Sequence, residues 1–88
     1  MKFLVEHIIK ELDDADTYIN KAIECEDTEC KTCYRQLASE ELSHFERLVK
    51  LYMRLVEKNG KYRSEVDDLW ISCMKNNVEK VRSKINEL

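Results

Sequence analysis

Three side chains able to ligate a metal or move a proton, Glu11, Glu41 and His44, stand in two helical stripes that are otherwise mostly apolar. The first stripe reads Leu4, Ile8, Glu11, Ala15, Tyr18, Ala22, Cys25. The second reads Cys30, Tyr34, Leu37, Glu41, His44, Leu48, Leu51, Leu55. Both advance in steps of four and three, the spacing that keeps side chains on one helix face. A carboxylate on a packed face is costly unless it has a partner. Two carboxylates and an imidazole converging between helices share one partner that satisfies all of them, a metal ion. Carboxylate oxygen and imidazole nitrogen suit iron or manganese, and zinc less selectively.

That convergence depends on the helices that carry the three residues. The sequence predicts three, over about 3–25, 28–58 and 64–87. Asn59-Gly60 supplies a left-handed position to end the second, and Ser64 followed by Asp67 resembles a capping box for the third. The first break holds no Gly or Pro, but Asp27 and Thr28 are suitable N-caps. The stripe also changes phase there. Continuing the first helix would place Glu29 and Thr32 on the apolar face, whereas the stripe resumes at Cys30 and Tyr34. One continuous helix is the alternative.

A turn near Asp27 makes the first two helices an antiparallel hairpin. Glu11 precedes Asp27 by sixteen residues, and Glu41 and His44 follow it by fourteen and seventeen. At about 1.5 Å per residue, all three lie roughly 21–26 Å from the turn and face one another at one level. Glu41 and His44, three residues apart, also point to one helix face.

The second helix carries a further apolar stripe, Ala38, Leu42, Phe45, Val49, Tyr52 and Val56, so it must be covered on two sides. The third helix offers Trp70, Met74, Val78, Val81, Ile85 and Leu88 for one of them. A hairpin and one flanking helix leave a four-helix core open, and a homodimer would close it.

The composition fits this all-α, single-domain reading. The chain has 88 residues, one glycine, no proline and 38% charged residues, which favours helices with few turns. So short a chain gains from a metal, a disulfide or a second subunit. The net charge of −3 gives no reason to expect nucleic-acid binding. It is unevenly spread: residues 1–33 hold nine acids and four bases, and residues 34–88 hold nine acids and eleven bases. No stretch is apolar enough to span a bilayer. Lys2 and Phe3-Leu4-Val5 begin like a signal peptide, but Glu6 and His7 end the apolar run. A cytoplasmic protein with reduced thiols is the expectation.

The segment Ala38-Ser-Glu-Glu41-Leu-Ser-His44-Phe-Glu-Arg-Leu48 resembles the second metal helix of the ferritin-like superfamily, near rubrerythrins, and Glu11-Leu-Asp-Asp-Ala15-Asp-Thr-Tyr18 resembles the first. The single-hairpin layout is similar to encapsulated ferritins. The resemblance covers residues 3 to about 56. It implies a ferritin-like four-helix bundle made by two chains, with a di-iron site shared across the dimer. It further implies Glu11, Glu41 and His44 as ligands, Tyr18 beside them, and ferroxidase-type chemistry: Fe(II) oxidation or the reduction of oxygen or peroxide. Manganese or zinc are alternatives to iron. On residues alone, Tyr18 also reads as a core tyrosine, and His7, one turn before Glu11, as an exposed histidine, a further ligand or a base.

Cys25, Cys30 and Cys33 flank the predicted turn, and Cys73 lies on the third helix. They read as zinc ligands, as a thiol redox pair at Cys30-x-x-Cys33 on a helix start, or as small apolar residues. Two other classes of function therefore stand beside the di-metal reading. One is a non-catalytic helical scaffold or adaptor whose polar layer fixes helix register. The other is a cysteine-based zinc or redox module.

Overall fold

A computed structural model of the chain describes residues 2–62 and 64–88. It is an all-α bundle: α1 (Lys2–Glu24), α2 (Thr28–Lys58), a short 3-10 turn (Gly60–Tyr62) and α3 (Glu65–Glu87). The bundle is elongated, 49 × 17 × 17 Å. The long dimension matches α2, whose 31 residues rise about 46 Å.

The break after α1 lies where the phase change placed it. Asp27 caps α2, its carboxylate accepting from the Cys30 backbone N–H at 2.9 Å. The continuous-helix alternative is thereby excluded. The exit from α2 differs from expectation. Asn59 is extended, with φ −147° and ψ 101°, and no described residue, Gly60 included, has a positive φ. Asn59 Oδ1 accepts from the Lys61 N–H at 3.2 Å, so a side-chain turn and the 3-10 segment reverse the chain. Ser64 caps α3 as expected, accepting from the Asp67 N–H at 3.4 Å.

The core is shared by all three helices within one chain. From α1 it takes Leu4, Val5, Ile8, Leu12, Ala15, Ile19 and Ala22. The further stripe of α2, from Ala38 to Val56, is buried throughout. From α3 it takes Ile71, Met74, Val78, Val81 and Ile85. Within one chain, α3 covers the inner stripe of α2 and the adjoining side of α1. One expectation is corrected here. Trp70 is 52% exposed and Leu88 is also exposed, and Ile71 fills the position expected of Trp70. The reason is register: 71, 74, 78, 81 and 85 repeat at three and four, and 70 falls one residue off that seam.

Polar ties fix α3 against the hairpin. The buried Tyr52 donates its hydroxyl proton to Asp68 at 3.0 Å, and Arg35 donates to the Ile85 carbonyl at 3.1 Å. Arg82 bridges Glu46 of α2 and Glu79 of its own helix. Lys84 reaches Asp16 and Asn20 of α1 at 3.3 and 3.2 Å.

Candidate metal centre

The stripe that carries Glu41 and His44 is the outer flank of α2, turned away from the shared core. Leu37, Leu48 and Leu55 are half-buried there and Leu51 is exposed. On α1, Glu11 lies one position from the buried Leu12 and so falls at the margin of the seam. The three residues therefore interrupt a flank rather than the core. The side chain of Glu11 is 14% exposed, that of Glu41 20% and that of His44 49%. This position keeps the carboxylates partly shielded while leaving the cluster open to an ion from outside.

The hairpin register brings the three together. Glu11, Glu41 and His44 each offer a donor atom, and these atoms lie within 4.8 Å of one another. His44 Nδ1 is 3.6 Å from Glu41 Oε1 and 3.8 Å from Glu11 Oε2. Donors on an ion at about 2.1 Å are separated by roughly 3 Å when adjacent and 4.2 Å when opposite. The two His44 separations fall inside that interval, and with all three donors within 4.8 Å the set could hold one ion after small side-chain shifts.

Like charges at this range disturb one another's titration. A hydrogen bond from Glu41 holds the Glu11 carboxyl below its ordinary value of 4.5; burial opposes this, while the hydrogen bond from His7 and the nearby imidazole charges assist. The Glu41 carboxyl is pushed above that value, first by the hydrogen bond to Glu11, then by burial and by the Glu11 charge, with His44 opposing. The two carboxyls therefore lose their protons in separate steps, Glu11 first and Glu41 at higher pH, and a cation between them would favour the ionised form of both.

His7 does not join the cluster. It is an exposed histidine that contacts Glu11 Oε1 through Nε2 at 2.8 Å, leaving Oε2 as the oxygen nearer His44. Such a bond fixes the orientation of a ligating carboxylate. Arg47 is a neighbour that the stripes did not single out. With His7, Glu11, His44 and Leu48 it lines a recess of about 270 Å³ beside the cluster. Its position three residues after His44 was the available signal.

Tyr18 is half-buried at the edge of the core and packs against Tyr34 across the hairpin, ring centroids 6.2 Å apart and planes tilted by 35°. The cysteines are arranged otherwise than as four reduced thiols. Cys25 and Cys30 form a disulfide across the turn, Cα atoms 6.0 Å apart, so the partner of Cys30 is Cys25 and not Cys33. Cys33 and Cys73 are free and exposed. Among the described residues no cysteine belongs to a cluster of three or more metal donors. No described helix is long and apolar enough to cross a membrane.

No family model, curated protein or solved structure matches this chain.

Proposed function

We propose that the chain is a ferritin-like metal protein. Glu11, Glu41 and His44 hold one ion, and a second copy, related by a twofold axis, brings an equivalent set beside it. The observation that carries the reading is the convergence of two carboxylates and an imidazole from two helices within 4.8 Å. The dimer reading draws on the flank around the cluster. Tyr18, Tyr34, Leu37, Leu48, Leu51 and Leu55 leave apolar surface around a polar centre, on the side that α3 does not cover.

Iron is the preferred ion, with manganese and zinc as alternatives that the same donors accept. An iron pair in such a site supplies Fe(II) oxidation coupled to the reduction of oxygen or peroxide. The chain's own contributions are distinct from that chemistry. Glu11 and Glu41 supply negative charge and His44 supplies a nitrogen donor. His7 orients Glu11. The half-buried flank limits water around the carboxylates, which strengthens their hold on a cation.

The test is metal analysis of the purified protein alongside Glu41→Ala, with the oligomeric state measured in parallel. The proposal expects about one ion per chain, dimers when loaded, and loss of the ion in the variant. Protein that remains metal-free at saturating Fe(II), Mn(II) and Zn(II) would instead favour a scaffold whose polar cluster is satisfied by its own contacts, His7 to Glu11 among them.

A further inference from the structure

A second site is carried by the other side of α2. Arg47, Lys50, Arg54 and Lys75 line one recess of about 620 Å³ between α2 and α3, together with Val49 and Met53. We propose that this recess binds a phosphate-bearing small molecule, with the four cations on its anionic group and Val49 and Met53 against its apolar part.

Like Lys21, Lys58, Lys61 and Lys80, these four form no ion pair among the described residues, but they alone gather in one recess. Lys2, Lys10 and Arg82 pair with carboxylates on their own helix or its neighbour, and Lys84 pairs with Asp16. Lys31 and Arg35 donate to backbone carbonyls. None of Arg47, Lys50, Arg54 and Lys75 forms an ion pair with a described residue, although the chain has more acids than bases. Gathering like charges in one recess without counter-charge raises the energy of the free molecule, and an anion relieves it.

Their placement suits one compact anion. Arg47, Lys50 and Arg54 follow at three and four residues, so they share a face of α2, and Lys75 approaches from α3. Guanidinium groups at both ends of the α2 row offer planar, paired donors that match phosphate oxygens. The row spans about 10 Å of helix, long enough for a few phosphates and too short for an extended nucleic-acid footprint. The volume lies within the ordinary range for small-molecule sites, about 300–1,000 Å³. An adjoining recess of about 340 Å³ shares Val49, Lys50 and Lys75 and is bordered by Glu46 and Glu79. Those carboxylates direct the anionic group to the Arg47–Arg54 end. The site contains none of Glu11, Glu41 and His44; Arg47 borders both recesses, and Lys50, Arg54 and Lys75 belong to this one without lining the recess at the cluster.

The experiment follows backbone amide shifts by NMR in the metal-free full chain at low salt, with inorganic phosphate, pyrophosphate and ATP as probes. The expected result is saturable shifts at residues 47–54 and 71–78. Pyrophosphate and ATP should bind more tightly than phosphate, and only ATP should move the Met53 methyl. Lys50→Glu with Arg54→Glu should weaken binding by at least about a hundredfold, since each charge-assisted contact contributes roughly tenfold or more. Both side chains are exposed, so an unchanged thermal melt should accompany the loss. The proposal is overturned if no probe moves these amides at millimolar concentration, or if the double variant binds like the parent. It is equally overturned if vesicles containing phosphatidylserine bind through Lys50 and Arg54 while the soluble phosphates do not, which would make the groove a membrane contact.

Discussion

Glu11 on α1 and Glu41 on α2 face each other across the hairpin with carboxylate oxygens within 4.8 Å, and they titrate in opposite directions. Each is anchored on a different helix, so neither can withdraw far without disturbing the packing of Leu12 or Leu42 beside it. A cation between them would relieve the repulsion that helps raise Glu41.

The pH dependence of metal binding follows from the proton on Glu41. Glu41 is raised above 4.5, so below its folded value an entering ion must displace one proton. That proton alone should make apparent affinity rise about tenfold per pH unit below that value, and displacement of any proton on His44 adds to the slope. Glu41→Gln, which cannot ionise, should remove Glu41's share of this slope together with tight binding. Calorimetric titrations with Mn(II) across the acidic range would measure it.

The metal-free protein should show the opposite trend on its upper limb. Because Glu41 is raised, its contribution is full below the unfolded value of 4.5 and is lost as pH rises through the folded value. Because Glu11 is lowered, its contribution is present above 4.5 and is lost as pH falls through its folded value. The pair contributes most between these two folded values. Denaturant melts of parent and Glu41→Gln against pH should diverge above that window, with the variant losing less stability.

The ligands and their support should separate by size of effect. Glu11→Ala and His44→Ala should each lower affinity by at least about a hundredfold, whereas His7→Ala, which removes only the bond orienting Glu11, should lie in the range of 10- to 100-fold. All three side chains lie outside the core, so circular dichroism should remain helical. Equal binding in His7→Ala and the parent would show that Glu11 needs no orienting partner.

Much of this arrangement was legible in the sequence, and the exceptions have physical causes. The level of Glu11 against Glu41 and His44 follows from counting residues to a turn, because helical rise is constant. Asp27 and Ser64 were readable as caps because their side chains satisfy free backbone N–H groups. The inner face of α2 was harder to choose. Both of its stripes obey the same spacing, and only the third helix decides that Ala38 to Val56 is core and that Leu37 to Leu55 is flank. Trp70 misled for a related reason. Its size suggests core, yet the seam is set by register, and Ile71 holds the place. Lys50, Arg54 and Lys75 gave no signal, since a recess between α2 and α3 exists only once those helices pack.

The register of α3 gives its own prediction. Ile71→Ala should cost about 2–4 kcal/mol of stability, because it removes a buried side chain from a three-helix core. Trp70→Ala should cost no more than about 1 kcal/mol, being on the exposed side. Urea melts of the two variants would report the difference, and the reverse ranking would place α3 one residue out of register.

Thiol chemistry checks the turn. Alkylation of the folded, unreduced protein should modify Cys33 and Cys73, and Cys25 and Cys30 should react only after reduction. Mass spectrometry of tryptic fragments would locate the adducts.

The central claim is that Glu11, Glu41 and His44 act together on an ion. The most direct measurement is an anaerobic Fe(II) titration of the parent and of a variant with all three converted to Leu, read by thermal melting. The parent should gain stability steadily with Fe(II), by linkage between binding and folding. The variant, freed of the paired carboxylates, should melt above the metal-free parent and be indifferent to Fe(II). A parent that melts at one temperature with and without Fe(II), or a variant that gains as much from the ion as the parent does, would contradict the account.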